Sequence, residues 1–216
     1  MKIITQGFQV LTDIDGPAML RRIEAAGRTC YKSEDKITDD SAERFVRMIT
    51  HQRKHHSVLE HESISVRVIC DRGISHEIVR HRIAAYSQES TRFCNYGKEK
   101  FGIEIAVIEP PGLLPNGVAY NAWVSSVRCA EAAYFSMLEA GVKPQIARSV
   151  LPTCLKTELV VTYNLRQWRH FFTMRCARDA HPQVREIAIG LLSQFSASIP
   201  VVFEDLAAEY VTATGS

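Results

Sequence analysis

Two hydrophobic periods share the chain. In "ESISVRVIC", Ile64, Val66, Val68 and Cys70 alternate with Ser63, Ser65 and Arg67, the two-residue period of a half-buried strand. "LKTELVVTYNL", residues 155 to 165, is β-rich through its Val, Thr and Tyr content. Helical spacing governs other stretches. Phe45, Met48 and Ile49 share one face of "DDSAERFVRMI", and Asp40 followed by Glu43 reads as a capping signal at its start. Trp123, Val127, Ala130, Tyr134 and Leu138 form a second stripe. Val184, Ile187, Leu191 and Phe195 form a third, entered through Pro182 and closed before Pro200.

These elements intermingle without the regular βαβ beat of a doubly wound sheet. The pattern predicts an α+β fold, a mixed or antiparallel sheet packed with several helices. No internal repeat, low-complexity tract or long linker divides the chain. "EPPGLLPNG", residues 109 to 117, is the most turn-rich break, and it reads as a surface loop. Residues 1–216 are therefore expected to form a single domain.

Composition narrows the class. Hydrophobic residues make up 46% and charged ones 23%, and the formal net charge is only +2. No global field points toward nucleic acid, so any basic site must be local. The six cysteines include no C-x-x-C pair, which argues against a zinc ribbon or a thioredoxin-like motif. "MKIITQGFQVL" lacks the apolar run of a signal peptide, and no apolar stretch approaches the roughly 20 residues that span a bilayer. A cytoplasmic protein with reduced thiols and no membrane partner is expected.

Chemistry gathers in three segments. "RHRIAAYSQESTRF", residues 80 to 93, places Arg80, Arg82 and Arg92 among Ser87, Gln88, Glu89, Ser90 and Thr91. Guanidinium forks with short hydroxyl donors suit a phosphate or the carbonyl edge of a heterocycle. "YNLRQWRHFFTMRCARDAHPQVREI", residues 163 to 187, interleaves five arginines with Trp168, Phe171 and Phe172. Rings beside guanidinium groups suit stacking on a flat heterocycle or on RNA bases, but on this segment alone an amphipathic helix with an aromatic core face is the favoured reading. "HQRKHHSVLEHES" carries His51, His55, His56, Glu60 and His61; His56 and His61 are five apart, off the i,i+4 face of helical zinc ligands, so no metal is expected. No glycine-rich phosphate loop is present.

Arg80-His81-Arg82, seven residues and then Ser90 form a signature that resembles the flavin-dependent thymidylate synthases. "HHSVLEH" about twenty residues upstream, "QIARSVLP" (145 to 152) and "YNLRQWRHFFTMRCARDAHPQVRE" follow in that family's order, so the resemblance covers most of the chain. It departs at Ala85, Ser87, Gln88 and Phe93, where the family pattern has Ser, Asn, Glu and Tyr, and His170 stands where asparagine is frequent.

The resemblance implies reductive methylation of dUMP to dTMP. The one-carbon donor would be 5,10-methylenetetrahydrofolate, and NADPH would supply reducing equivalents through FAD. It also implies a homotetramer with shared active sites and no nucleic-acid partner. By similarity Arg80, Ser90, Arg92, Arg148 and Arg175 would bind dUMP, with Glu77, Gln88 and Glu89 beside them. Ser57, Arg80, His81, Arg82, Gln88, Asn164, Arg166 and His170 would contact FAD. Arg175 would activate the uracil by favouring its N3-deprotonated form, and Ser90 would orient substrate rather than attack it. Cys94 and Cys176 lie near the implied site without a covalent role. Two rival readings come from other classes: an RNA- or nucleotide-binding protein using the arginines and aromatics, and a metal-dependent hydrolase built on the histidines.

Overall fold

The structure, a computed structural model, describes residues 1–212. The chain opens with β1 (Lys2–Ile4), β2 (Gly7–Val10), α1 (Gly16–Thr29) and α2 (Ser41–Arg47). It continues through β3 (Ser63–Asp71), α3 (Arg72–Ile78), β4 (Ala85–Gln88), β5 (Ala106–Ile108) and α4 (Val118–Glu139). The last part runs through α5 (Pro144–Ala147), β6 (Lys156–Asn164), α6 (Leu165–Arg175), α7 (Pro182–Ser198) and α8 (Pro200–Tyr210). β1 and β5 pair in parallel, Lys2 with Ala106 through Ile4 with Ile108. The other four strands form an antiparallel sheet in the order β2-β3-β6-β4. This is the α+β class that the hydrophobic pattern predicts.

The strand alternation is realised residue by residue. Ile64, Val66, Val68 and Cys70 are buried along β3, and Thr157, Leu159, Val161 and Tyr163 along β6. "EPPGLLPNG" connects β5 to α4 without regular structure until its final glycine caps the helix. The capping expectation at α2 fails. Asp40 precedes the helix but makes no side-chain cap; its carboxylate instead accepts the Thr38 hydroxyl at 2.7 Å. Glu43 pairs with Arg47 one turn on, so the reciprocal arm of a capping box is absent too. Past Arg47 the helix widens into a π turn over Met48–Gln52, which leaves Met48 half-buried while Phe45 and Ile49 are buried.

The chain groups into two compact units, each gathered from separate stretches. Met1–Gly7, Val68–Arg80 and Ser87–Val160 make the first; Phe8–Arg67, His81–Tyr86 and the chain from Val161 make the second. In the first, Val127 and Tyr134 of α4 pack with Tyr96, Ile105, Val107, Ala147 and Leu155, flanked by Trp123 and Leu138. Four members of the predicted α4 stripe therefore reach this core. In the second, Val184, Ile187, Leu191 and Phe195 of α7 are all buried, as the third stripe predicts. They join an aromatic cluster in which Trp168 meets Phe172 at 5.6 Å and Phe195 at 5.1 Å, and Phe172 meets Phe203 at 5.7 Å between centroids. Such pairs add roughly 0.5–1.5 kcal/mol each beyond their buried area. Trp168 Nε1 donates to the Ile64 carbonyl at 3.0 Å, which satisfies its one polar group. Trp168, Phe171 and Phe172 are core residues, so the stacking platform expected of an RNA binder does not exist at these positions.

Candidate active site

Two cavities carry the chemistry, one in each unit. In the first, β3 runs directly into α3: the Asp71 carboxylate accepts the Ile74 amide at 2.7 Å and starts the helix immediately after the strand. Arg72, at this junction, is fixed through its backbone, its N–H lying 3.0 Å from both the Thr153 and Leu155 carbonyls. Arg148 leaves a short helical turn that follows α5, and its guanidinium donates to the Thr91 hydroxyl at 3.1 Å. Arg72, His76, Thr91, Arg148 and Ser149 line a cavity of about 330 Å³, closed by Leu151 and Leu155. Among the described residues no carboxylate pairs with Arg72, Arg80, Arg92 or Arg148.

The turn between β4 and the following loop is held by its own backbone. The Ser90 carbonyl accepts the Phe93 and Cys94 amides at 3.0 and 2.8 Å, and Ser90 Oγ accepts the Arg92 amide at 3.3 Å. Among the described residues no base hydrogen-bonds to Ser90 Oγ. Arg92 is exposed and lies over the Phe93 ring at 5.4 Å. Glu89 is committed elsewhere: it accepts from the Tyr96 hydroxyl at 2.8 Å and from Lys156 at 3.0 Å. Gln88 turns inward and donates to Ser75 Oγ at 2.9 Å and Thr157 Oγ1 at 3.2 Å, while Ser75 donates onward to the Arg72 carbonyl. A neutral amide is the group that can donate to two buried hydroxyl oxygens without burying a charge. Glu77 is half-buried on α3 and Arg80 is exposed just beyond it. Glu77, Arg80, Gln88, Glu89, Ser90, Arg92 and Arg148 thus all belong to the first unit, whereas Arg175 belongs to the second.

The second unit holds a cavity of about 540 Å³ lined by His56, Glu60, Ile83, Asn164, Arg166, Gln167, Arg169, His170 and Thr173. α6 supplies most of it. Asn164 caps that helix by accepting the Gln167 amide at 2.8 Å, which places Arg166, Arg169, His170 and Thr173 on successive turns. Arg166 pairs with Glu60 at 2.5 Å. Arg169 grips Asp205 with both terminal nitrogens at 2.7 and 2.6 Å and also donates to the Val202 carbonyl. Of the residues expected around FAD, Asn164, Arg166 and His170 share this lining; Ser57 is exposed on the His56–His61 turn and Arg82 is exposed after His81. His51 and His56 hydrogen-bond the Val201 and Thr50 carbonyls at 2.7 and 3.1 Å. Among the described residues no group of three or more His, Cys, Asp or Glu could hold a metal ion.

His81 is buried rather than open, at 7% exposure. Phe171, His170 and Tyr163 surround its ring at centroid distances of 5.1, 5.6 and 6.2 Å. Burial first, then the positive charge of Arg175 and the neighbouring His170, push its pKa down to about 4, so the ring is neutral at neutral pH. Arg175 Nε donates to His81 Nε2 at 3.1 Å. Gln167 Nε2 lies 3.2 Å from the other ring nitrogen, Nδ1. Tyr86 donates to the His81 carbonyl at 2.5 Å and lies 2.8 Å from the Tyr163 hydroxyl, locking the backbone of the same residue. The result is a guanidinium whose Nε is held in place by a neutral acceptor.

Arg72, His76 and Ser149, and in the second unit Gln167, Arg169 and Thr173, were not legible as site residues. Arg72 left one signal: an arginine directly after an apolar strand, with no carboxylate three or four residues away on either side.

Residues 11–201 match the model of the thymidylate synthase complementing protein family. The chain is 36% identical over 212 residues to a flavin-dependent thymidylate synthase of Mycolicibacterium vanbaalenii, covering 90% of this chain and 81% of that protein. The corresponding enzyme of Mycobacterium tuberculosis matches with the same identity and coverage. The fold superposes on a UMP/dUMP methylase, PolB, from Streptomyces cacaoi, solved with 5-Br dUMP, with a TM-score of 0.77 at 20% identity over 97% of this chain and 98% of that one. The chain belongs to the family of flavin-dependent thymidylate synthases.

Proposed function

We propose that the protein methylates dUMP to dTMP, taking the one-carbon unit from 5,10-methylenetetrahydrofolate and electrons from NADPH through bound FAD. The observation that carries this reading is the first unit's cavity, where Arg148 and Thr91 stand bonded to each other beside the Ser90 turn with no carboxylate to neutralise them. A phosphate monoester dianion supplies the missing charge, and hydroxyl and guanidinium donors suit its three terminal oxygens. Ser90, Arg92 and Arg148 are the groups assigned to it, with Glu77, Arg80, Gln88 and Glu89 alongside.

FAD is assigned to the second unit's cavity, whose volume lies within the roughly 300–1,000 Å³ of ligand pockets. The residues fit such a group. Asn164 and His170 offer donors, Arg166 and Arg169 offer planar guanidinium faces, and Ile83 offers apolar surface. Ser57, Arg80, His81, Arg82 and Gln88 complete the set that the resemblance assigns. Bound flavin supplies the hydride that reduces the transferred carbon to a methyl group. The protein's own part is orientation and charge. Arg175, held through Nε by neutral His81, is assigned to the uracil edge, where its charge favours the N3-deprotonated base and pushes electron density toward C5. No enzyme nucleophile is needed, and Ser90, without a base partner among the described residues, orients substrate.

Large exposed apolar side chains in the first unit, Val118 at 89%, Phe93 at 78% and Leu114 at 77%, support a homotetramer in which copies cover one another and share sites. The reading describes a cytoplasmic enzyme; among the described residues no helix is long and apolar enough to cross a membrane.

The test is direct. Purified protein should carry releasable flavin and should form thymidylate from dUMP, methylenetetrahydrofolate and NADPH. A flavin-loaded tetramer that forms none would overturn the reading, and a colourless preparation loaded with RNA or metal would support one of the rivals.

A further inference from the structure

Arg72 presents a feature that neither the fold nor the assigned chemistry explains. Its Nη1 is buried and has no hydrogen-bond partner, although the side chain lines the same cavity as Arg148. A buried guanidinium nitrogen without an acceptor is costly, and a second unpaired arginine in the same cavity adds like-charge repulsion. Both arginines are nonetheless fixed by one short piece of chain. The Leu151 amide donates to the Arg148 carbonyl at 3.1 Å, and the Thr153 and Leu155 carbonyls hold the Arg72 amide at 3.0 Å. The Gln88–Ser75 relay then anchors the Arg72 carbonyl. The segment 151–155 sets the spacing of two cations around one small cavity with no anion of the protein's own between them.

We propose that Arg72 is a further guanidinium ligand of the substrate's phosphate, approaching the dianion beside Arg148; this rests on the reading of the cavity as a nucleotide site. One doubly charged group satisfies both the orphaned Nη1 and the repulsion between the arginines. A neutral nucleoside satisfies neither. Arg72 therefore discriminates nucleoside monophosphates from nucleosides, and the protein holds it in a poorly satisfied state until the phosphate arrives.

The experiment uses the full-length, flavin-loaded protein and its Arg72→Met and Arg72→Lys variants. Thermal melting is recorded in phosphate-free buffer, with inorganic phosphate and with dUMP; affinities for dUMP and deoxyuridine are measured calorimetrically. Loss of a charge-assisted contact predicts that Arg72→Met weakens dUMP binding about 10- to 100-fold and leaves deoxyuridine binding within about twofold. KM for dUMP should rise by more than kcat falls. Arg72→Met should melt at the wild-type temperature or above it in phosphate-free buffer, because an unsatisfied cation has been replaced by an apolar chain of similar length. Phosphate should stabilise the wild type more than Arg72→Met, with Arg72→Lys recovering part of the difference. A structural cation gives the opposite result: Arg72→Met melts lower in phosphate-free buffer while dUMP affinity stays within about twofold, and that sinks the proposal. Equal losses for dUMP and deoxyuridine sink it too. A wild-type protein that is stabilised by phosphate through Arg72 yet forms no thymidylate upholds the phosphate site and defeats only the functional reading.

Discussion

Arg166 and Arg169 line the second unit's cavity already paired with Glu60 and Asp205, whereas Arg72 and Arg148 line the first unit's cavity with no carboxylate partner. The residue type is the same and the electrostatic state is opposite. Where each guanidinium meets a carboxylate, local charge cancels, and what remains for a ligand is a set of planar faces and directed donors. Where the partner is missing, the site keeps two positive charges and stays electrostatically incomplete until an anion enters. On the proposed reading the first cavity selects by charge and the second by shape and hydrogen bonding. Arg175 tests this division. It sits in the second unit and donates through Nε to a neutral imidazole.

The largest expected effect follows from that placement. Arg175→Ala should retain flavin and lose dUMP affinity only moderately, because the phosphate contacts lie with other groups. Thymidylate formation should fall about 10²- to 10³-fold, the typical loss when one donor to developing charge is removed. Nucleotide affinity, flavin reduction and product formation measured on one preparation separate these outcomes. Product formation at close to the normal rate under saturating dUMP would move Arg175 to the ordinary binding groups and dissolve its special status.

His81 offers the next test, through pH. Its ring faces Arg175, His170, Tyr163, Phe171 and Gln167, and its pKa is pushed from 6.5 down to about 4. The unfolded chain takes up a proton at this residue below about pH 6.5, while the folded protein does not until about pH 4. In that window the unfolded state binds more protons, so folded stability must fall as pH drops. A difference of this size amounts to about 3 kcal/mol, fully present above pH 6.5 and lost by about pH 4. Carboxylates titrate in the same range, so the readout is the stability difference between wild type and His81→Gln, which keeps an acceptor for Arg175 but cannot be protonated. That difference should shrink by about 3 kcal/mol between pH 7 and pH 4 in denaturant titrations. Parallel curves for the two proteins would show that His81 is not held neutral.

A direct contrast between the two classes of arginine comes third. Arg169 is 11% exposed and holds both Asp205 and the Val202 carbonyl, so Arg169→Met should destabilise by about 1–2 kcal/mol, with solvent screening at Asp205 keeping the ion pair itself to about 1 kcal/mol or less. Arg148→Met, at an exposed and unpaired position, should change folding stability by no more than about 0.5 kcal/mol while weakening dUMP binding strongly. If both variants lose stability equally, the distinction between paired and unpaired arginines carries no energetic weight.

That distinction was invisible in the sequence, for a definite reason. The strands and the third helical stripe were legible because their signal is local: alternation along β3 and a 3.6-residue stripe along α7 survive folding unchanged. Motif order singled out Arg148, Asn164 and Arg166, which line the two cavities, for the same reason. Pairing is not local. Glu60 lies 106 residues from Arg166, and Asp205 lies 36 from Arg169, so nothing near either arginine in the chain marks it as neutralised. Arg72 was missed for the converse reason, since the lack of a nearby carboxylate is a weak signal that many surface arginines share. The aromatics of α6 show the limit of composition: Trp168 and Phe172 between arginines allow a stacking surface even where an aromatic core face is the favoured reading, and burial decides that they are core.

The smallest effect is expected at Cys176, where an arginine stands close to a nucleophilic atom and does not activate it. Arg185 donates through Nε to the Cys176 carbonyl at 3.2 Å, and its charge favours the thiolate. Burial acts in the opposite direction and dominates, pushing the thiol up to about 12. At neutral pH the sulfur is therefore a protonated, fully buried core atom, and removing it takes away packing rather than reactivity. Cys176→Ala should keep turnover within about tenfold, at most about 1.4 kcal/mol of transition-state stabilisation. Its thiol should resist alkylation in the native protein and react only on unfolding. Rapid native alkylation, or a loss of several orders of magnitude with flavin still bound, would mean that a nearby positive charge outweighs burial in the second unit, and the contrast between its arginines and those of the first would have to be redrawn.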